Sequence, residues 1–501
     1  MRVAIIGSGV SGIAAAKTLK RLGFEIVVYE KSDRIGGIWA TAYPGVTLQN
    51  VAEHYRFTDF DWPFVPELHP TAEEVRRYLD AAVAHYGLDI RLGHKVEALS
   101  ERADGWDVTV SSASGTATLS FDCVVVANGH YSEATPSQIL PGSDRFTGEI
   151  VNERELGNLD RFSGRRVLVV GFGKTAVDIA SFAAERNAKV THLFRSPRWL
   201  LPRSVFGHDI STIVPTRMSA RMSPSWVHPW PGAKFMHRYL PWLVRYYWWL
   251  TELLFRSALG LHPFHADRDA RRRMAALEPE DPLTYQMRAA VALAPPYYYA
   301  SVVRGEIEPV KGILTGFDQS HALLSDGRRL EADMVVLAIG SPPPDFPFLP
   351  EPARQLMTAT PGGTQLYRHL IHPRLKRLAF AGFNHGYFHI PAVEVATVWL
   401  AAVMAGDIVL PDAAEMEASA ARVADWKARN MLFEPNRAHG IGGRQHHYLD
   451  TLLRELGVNP NRKSNVISDF TEPYWAKDYA GVADEYERQR GTPRPALPLD
   501  T

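Results

Sequence analysis

Apolar residues come in short runs along this chain, and the residues that close each run predict the element. Val3 to Ile6 is closed by glycines at 7, 9 and 12, after which Ile13, Ala16, Leu19 and Leu22 recur at helical spacing; Ile26 to Tyr29 is a second run, ending in Glu30. The same order returns later. Val167 to Val170 leads into Gly171 and Gly173, a helical stretch opens at Lys174, and Lys189 to Phe194 ends in Arg195. Two further runs, FDCVVVANG (121–129) and ADMVVLAIG (332–340), share Asp-x-Val-Val-x-Ala-x-Gly and bracket the second unit like two crossings of one domain. A last run, Arg377 to Gly382, leads through Pro391 into a helix around 393–404. The pattern predicts an α/β fold with two Rossmann-like dinucleotide-binding domains, the second inserted in the first, and a helical insertion. The expected boundaries are 1–140 with 332–411 for the first, discontinuous domain, and 141–199 with 300–331 for the second. Residues 200–299 form the helical insertion, and 412–501 a C-terminal helical extension and tail.

Each glycine loop has a chemical reading. A sharp turn at Gly7, close backbone approach at Gly9 and tight helix packing at Gly12 let a pyrophosphate rest on the helix N-terminus, where free N–H groups and the dipole favour negative charge. Glu30, about twenty residues on, is placed to accept hydrogen bonds from a ribose diol. In the second loop Ala176 replaces the third glycine, and Arg195 stands where Glu30 stands in the first, with Arg198 close enough to assist. Acid in one and guanidinium in the other distinguish a plain ribose from a 2′-phosphate. The pair therefore reads as one site for a dinucleotide such as FAD and another for the NADPH that reduces it.

Leu200 to Tyr299 is too long and too aromatic for a minimal nucleotide fold. Within it, KFMHRYLPWLVRYYWWLTELLFRSALGL (234–261) carries Arg245, Glu252 and Arg256, so it reads as an amphipathic helix opened near Pro241 rather than as a membrane span. These charges form one polar stripe on an aromatic surface, which suits a roof over an apolar substrate tunnel or a peripheral membrane contact. RDARRRM (268–274) reads as a solvated helix face, with anionic lipid as a second reading, and the tail TPRPALPLDT as disordered.

Composition sets limits. With 501 residues, 46% apolar and 22% charged, the chain can bury several cores, as a large soluble enzyme does. Lys plus Arg and Asp plus Glu both number 55, so no overall basic field recruits nucleic acid. Cys123, the lone cysteine, excludes an intramolecular disulfide and a Cys-x-x-Cys centre. His446 and His447 are read in a polar region ahead of a helix, and no metal site is expected. A first strand beginning at the third residue leaves no room for a signal peptide upstream, so a cytoplasmic location is expected. The sequence leaves the oligomeric state open.

Several motifs in a fixed order give a more specific expectation. EKSDRIGGIW (30–39) is similar to Glu-Lys-x-x-x-x-Gly-Gly-x-Trp, RFTDFDWP (56–63) to Phe-Ser-Asp-Phe-Pro-x-Pro, ANGHY (127–131) to Ala-Thr-Gly-x-Tyr, and IPAVEVATVWLAAVMAGDIVLP (390–411) to Pro-x-x-Glu-x-Gln-Ala-x-Trp. With the first loop, these resemble the class B flavin-dependent monooxygenases of the flavin-containing monooxygenase family, to about residue 460 except for the middle; GFGKTAVDIA (171–180) is nearer the plant and fungal branch. The resemblance implies that NADPH reduces FAD, that reduced flavin captures O2 as a C4a-hydroperoxide, and that retained NADP⁺ shields it. It implies FAD contacts from Gly7, Gly9, Ser11, Gly12, Glu30, Lys31, Gly37, Trp39 and Val96. NADPH contacts fall on Gly171, Gly173, Lys174, Thr175, Ala176 and Arg195.

Two departures bear on the reaction. The family's Phe-x-Gly-x-x-x-His is present as FTGEIVN (146–152), with Asn152 in place of histidine. The related Baeyer-Villiger enzymes carry an Asp after Tyr-Pro-Gly, whereas YPGVTLQN (43–50) has Gln49 and Asn50 there. Either amide could donate to the flavin's reactive edge or satisfy backbone groups of its loop. Oxygenation of a soft nitrogen or sulfur atom in an apolar small molecule is therefore expected ahead of ketone insertion. A flavin reductase or oxidase of the same two-domain plan is the alternative from another class.

Overall fold

The computed structural model describes residues 1–131, 135–137, 140–265, 267–287, 292–358, 363–432 and 440–498. Two five-stranded, all-parallel sheets organise them. The first runs Leu378–Phe380, Cys123–Val126, Arg2–Ile6, Glu25–Tyr29, Ile90–Arg91. The second runs Ile307–Lys311, Lys189–Phe194, Arg166–Val170, Met334–Leu337, Glu149–Asn152. Both are covered on two faces, which is why their central strands are unbroken apolar runs rather than alternating ones.

The sheet membership corrects the boundary expected at 332. Met334–Leu337 pairs with Val167–Val170 and with Glu149–Asn152, so it belongs to the second unit, and the chain rejoins the first sheet only at Leu378. The repeated Asp-x-Val-Val-x-Ala-x-Gly marks the same position in two copies of one motif. Ala127 N–H donates to the Ile6 carbonyl (2.8 Å) and Ala338 N–H to that of Val170 (2.9 Å). A Cβ on Gly7 would come 2.6 Å from the Ala127 oxygen, and one on Gly171 2.2 Å from that of Ala338. Both glycines also have positive φ, +104° and +124°, so each turn needs glycine on two counts.

On one face of the first sheet lies an antiparallel sheet, Lys95–Arg102, Gly105–Ser112 and Gly115–Phe121, packed through Val96, Leu99 and Trp106. On the other lie the helices Val10–Arg21, His389–Ala405 and Gln445–Glu455. His389–Ala405 is apolar on all sides because it is buried on all sides. Cys123 is buried in its strand, and burial pushes its thiol up to about 12, so it stays protonated.

The insertion contains the helices Arg217–Met222, Pro231–Tyr239, Pro241–Ala258, Arg268–Ala276 and Leu283–Gln286, with a short hairpin at Ser204–Val205 and His208–Asp209. Its expected single polar stripe is split. Glu252 accepts from the Leu283 N–H (2.7 Å) and Arg256 pairs with Glu278, both turned toward the protein, while Arg245 is exposed. RDARRRM has the expected solvated face, with Arg268, Asp269, Arg271 and Arg272 exposed; Arg272 reaches Glu308, and Arg273 donates to the carbonyls of Val302 and Val303. His446 and His447 are fully packed inside the helix Gln445–Glu455, not in a polar approach to it. The tail expected to be disordered is docked as far as it is described. Arg494–Pro495 pairs with Ile408–Val409, and the Leu497 N–H donates to Glu455 (2.7 Å). Among the described residues no helix is long and apolar enough to cross a membrane.

Candidate active site

The helices Val10–Arg21 and Lys174–Glu185 begin at Gly9 and Gly173, and neither has a side-chain cap. Some other helices of the chain do carry such a cap, as Thr71 with Glu74, Asp267 and Asp412 show. Two glycine-led N-termini left open are two places where N–H groups and the helix dipole await an anion. At the first, a Cβ on Gly12 would lie 1.9 Å from the Gly7 oxygen, which fixes the helix hard against the turn. Gly9 itself meets nothing nearer than the Gly37 Cα at 3.7 Å, so the space beside it is open to a ligand.

Glu30 ends the second strand almost fully buried. Its Oε2 accepts from the Ser8 N–H and hydroxyl (2.8 and 2.9 Å), and its Oε1 from the Ser32 N–H (2.9 Å). The carboxylate is thus fixed at the loop mouth with lone pairs to spare for a diol. Lys31 is exposed beside it. The segment 36–39 folds back on the loop: Gly36 N–H donates to Ser8 O (3.1 Å), and a Cβ on Gly37 would touch the Gly9 Cα at 3.0 Å. Trp39 donates to the Tyr55 hydroxyl (2.8 Å) and packs against both large cores, where the two units meet. Ser11 shares a hydrogen bond with His389 (2.9 Å) at the start of the long buried helix. Val96 is a core residue of the antiparallel sheet.

The second loop is built alike and ends differently. Ala176 is fully buried against Gly171, Lys174 pairs with Asp178, which also accepts from Tyr43 (2.8 Å), and Thr175 is half-buried. His192, which carries no signal in the sequence, braces this loop between the Gly171 carbonyl (2.7 Å) and the Tyr298 hydroxyl (2.6 Å). Burial drives its imidazole down to about 4, so it is neutral. Arg195 follows the strand and is exposed, while Arg198 is half-buried.

The three amides expected to be catalytic are held apart in role. Gln49 accepts from the Leu293 N–H (2.9 Å) in the insertion, and Asn50 donates to the Tyr387 carbonyl (2.5 Å) just before the buried helix. Asn152 caps the turn Glu153–Glu155, accepting from the N–H groups of Arg154 and Glu155, which gives it a structural task at the second sheet's edge. Around Tyr387 the insertion and the C-terminal extension close in. Its hydroxyl donates to Ser211 O (2.8 Å) and meets His54 (3.1 Å), which stacks on Trp475. His130, within the ANGHY turn, and His389, just ahead of the IPAVEVATVW segment, sit at the same end of the first sheet, bonded to Gly382 O (2.6 Å) and Ser11. Neither is marked out by its motif.

A family model described as flavin-binding monooxygenase-like matches residues 1–237 and 292–480. The chain belongs to that family. It is accordingly an FAD-dependent NADPH monooxygenase, with O2 as co-substrate. It is 26% identical to a probable flavin-containing monooxygenase 1 of Arabidopsis thaliana, over 97% of each chain. Its fold resembles S-allyl-L-cysteine S-oxygenase from Allium sativum (TM-score 0.61, 19% identity, 98% of this chain and 94% of that one). It also resembles an open form of cyclohexanone monooxygenase (TM-score 0.62, 20% identity, 90% and 97%).

Two of the family motifs meet in one ion network. Lys17, buried on the first helix, pairs with Glu394 of the long helix and Asp59 of RFTDFDWP, and Glu394 also accepts from the Thr58 N–H (3.0 Å). Burial pushes the Glu394 carboxyl above the usual range, against the pull of Lys17. The network joins the three segments that frame the first loop.

Proposed function

We propose that FAD lies on the first loop and NADPH on the second, and that together with O2 they oxygenate a soft nitrogen or sulfur atom of an apolar small molecule. The observation that carries the cofactor assignment is the contrast at the strand ends: a buried, oriented Glu30 against an exposed Arg195 that has no ion-pair partner among the described residues. Gly7, Gly9, Ser11, Gly12, Glu30, Lys31, Gly37, Trp39 and Val96 then serve FAD, in one unit comprising the first sheet. Gly171, Gly173, Lys174, Thr175, Ala176 and Arg195 serve NADPH in the other, which takes in 334–337. Bound FAD, reduced by NADPH, supplies the activation of O2.

The chain's own residues bind, orient and exclude water. Gln49 spends its Oε1 on Leu293, which leaves its Nε2 as the donor free to face a developing negative charge; Asn50 spends its Nδ2 on Tyr387. The insertion and the C-terminal extension, meeting around Tyr387, His54 and Trp475, provide the dry cover that oxygen activation needs. Heteroatom chemistry is supported by Gln49, Asn50 and Asn152 standing where ring-inserting relatives carry acid and histidine. The S-oxygenase and cyclohexanone monooxygenase folds are equally similar to this one and favour neither reading.

Rapid mixing of NADPH-reduced protein with O2 tests this. A transient spectrum distinct from reduced and oxidised flavin is expected, decaying faster with a thioether or tertiary amine than with cyclic ketones, with product matched to NADPH consumed. Hydrogen peroxide as sole product across the panel would reassign the protein as a reductase or oxidase, and acceleration by ketones only would establish ring insertion. For the second loop, Arg195→Ala should raise the KM for NADPH roughly ten- to a hundredfold, the worth of a charge-assisted contact, and leave that for NADH nearly unchanged. Equal loss with both cofactors would place the 2′-phosphate elsewhere.

A further inference from the structure

The helix Pro241–Ala258 is apolar on two opposite faces. Val244, Trp248 and Phe255 are buried against Trp199, Ile210 and Leu283. The opposite face carries Trp242, Tyr246, Trp249 and Leu253 at steps of four, three and four, and they are 60%, 53%, 56% and 53% exposed. The preceding helix, Pro231–Tyr239, adds Phe235 and Tyr239, which are exposed to a similar degree. A half-exposed aromatic shows about 100 Å², so the five aromatics leave about 500 Å² before Leu253 is added, toward the upper end of what a monomer keeps in water. A roof over a substrate site uses the buried face and gives this one no task.

We infer that this face docks the enzyme on the surface of an anionic lipid bilayer. Tryptophan and tyrosine are the residues that settle at the headgroup level, with an apolar ring below and a polar edge above. The charges agree. Arg238 and Arg245 are exposed on these two helices, Arg245 pairs with no carboxylate among the described residues, and the one acid of the pair, Glu252, is turned inward onto the Leu283 N–H. The face therefore presents cations and aromatics without anions, which complements anionic headgroups, whereas a second copy of the same face would meet like charge. The helix of 18 residues, about 27 Å long, lies on the bilayer, and no described helix crosses it. Most of the surface falls in 238–291, a segment that the family model does not match.

Flotation of the FAD-loaded full-length protein with vesicles tests the assignment. The protein should float with phosphatidylcholine vesicles containing about one-third phosphatidylglycerol and much less with phosphatidylcholine alone. The double substitutions Trp242→Ser/Trp249→Ser and Arg238→Glu/Arg245→Glu should each lower the bound fraction by about tenfold or more, with FAD content and NADPH oxidation unchanged. The charge pair lies on exposed side chains and reads out independently should the tryptophan pair perturb folding. Absence of flotation with anionic vesicles, or flotation unaffected by both doubles, overturns the inference. So does a solution dimer that Trp242→Ser/Trp249→Ser turns into a monomer, which would assign the face to a second copy.

Discussion

Gly9→Val is expected to purify folded but nearly colourless, holding less than about a tenth of the flavin of the wild type because its side chain takes the space of the pyrophosphate, and to lose NADPH-driven oxygen consumption in proportion. The three glycines of the first loop are not equivalent. Gly7 has positive φ and its Cβ would strike the Ala127 carbonyl, and a Cβ on Gly12 would strike Gly7, so substitutions there break the turn itself. Gly9 has φ −68°, which any residue adopts, and a Cβ there meets only the Gly37 Cα at 3.7 Å. Its variant therefore separates a ligand's need from the fold's need. Absorbance at the flavin band with circular dichroism as a folding control decides it, and stoichiometric FAD in a folded Gly9→Val would place the flavin elsewhere.

Lys17→Met should destabilise the protein by about 3–5 kcal/mol because it strands two carboxylates, one of them buried. Denaturant titration should show the midpoint falling at nearly constant slope. The sign of the shift sets the pH dependence. Glu394 already has a raised folded-state pKa, and without Lys17 it rises further, so the folded variant holds its proton to higher pH than the unfolded chain does. That contribution favours folding at low pH and is lost as pH rises, so the deficit should be smaller at pH 5 than at pH 8. Lys17→Met/Glu394→Gln should recover part of the loss. A deficit that does not change with pH, or no recovery in the double variant, would mean that the network is not what joins these segments.

Particular residues show how much of the fold and the site is legible in the sequence. The two loops are, because a parallel strand buried on both faces must be an apolar run and a dinucleotide turn must carry glycine at fixed offsets; both constraints are local. The Glu30 and Arg195 contrast is legible for the same reason. Membership of Met334–Leu337 is not. Its sequence fits either sheet equally well, and only pairing with Val167–Val170 assigns it. His192 gives no signal either, since a lone histidine in a strand shows its role only when Gly171 and Tyr298 arrive on its two nitrogens.

Side-chain direction marks the same limit. By spacing, Arg245, Glu252 and Arg256 form one stripe; in the fold Leu283 and Glu278 draw two of them inward and leave the aromatic face outward. The proline-rich tail looks unable to pack, yet Asp407, Val409 and Glu455 supply the hydrogen-bond partners that its own residues do not. Sequence by itself determined the two strand–loop–helix units and, through the order of its motifs, the family, because a buried parallel strand and a glycine turn are each specified within a few residues. Tertiary structure alone decided which strand joins which sheet, which amides are spent on the backbone and which face is left to solvent, because each depends on partners far along the chain or on the far side of a helix.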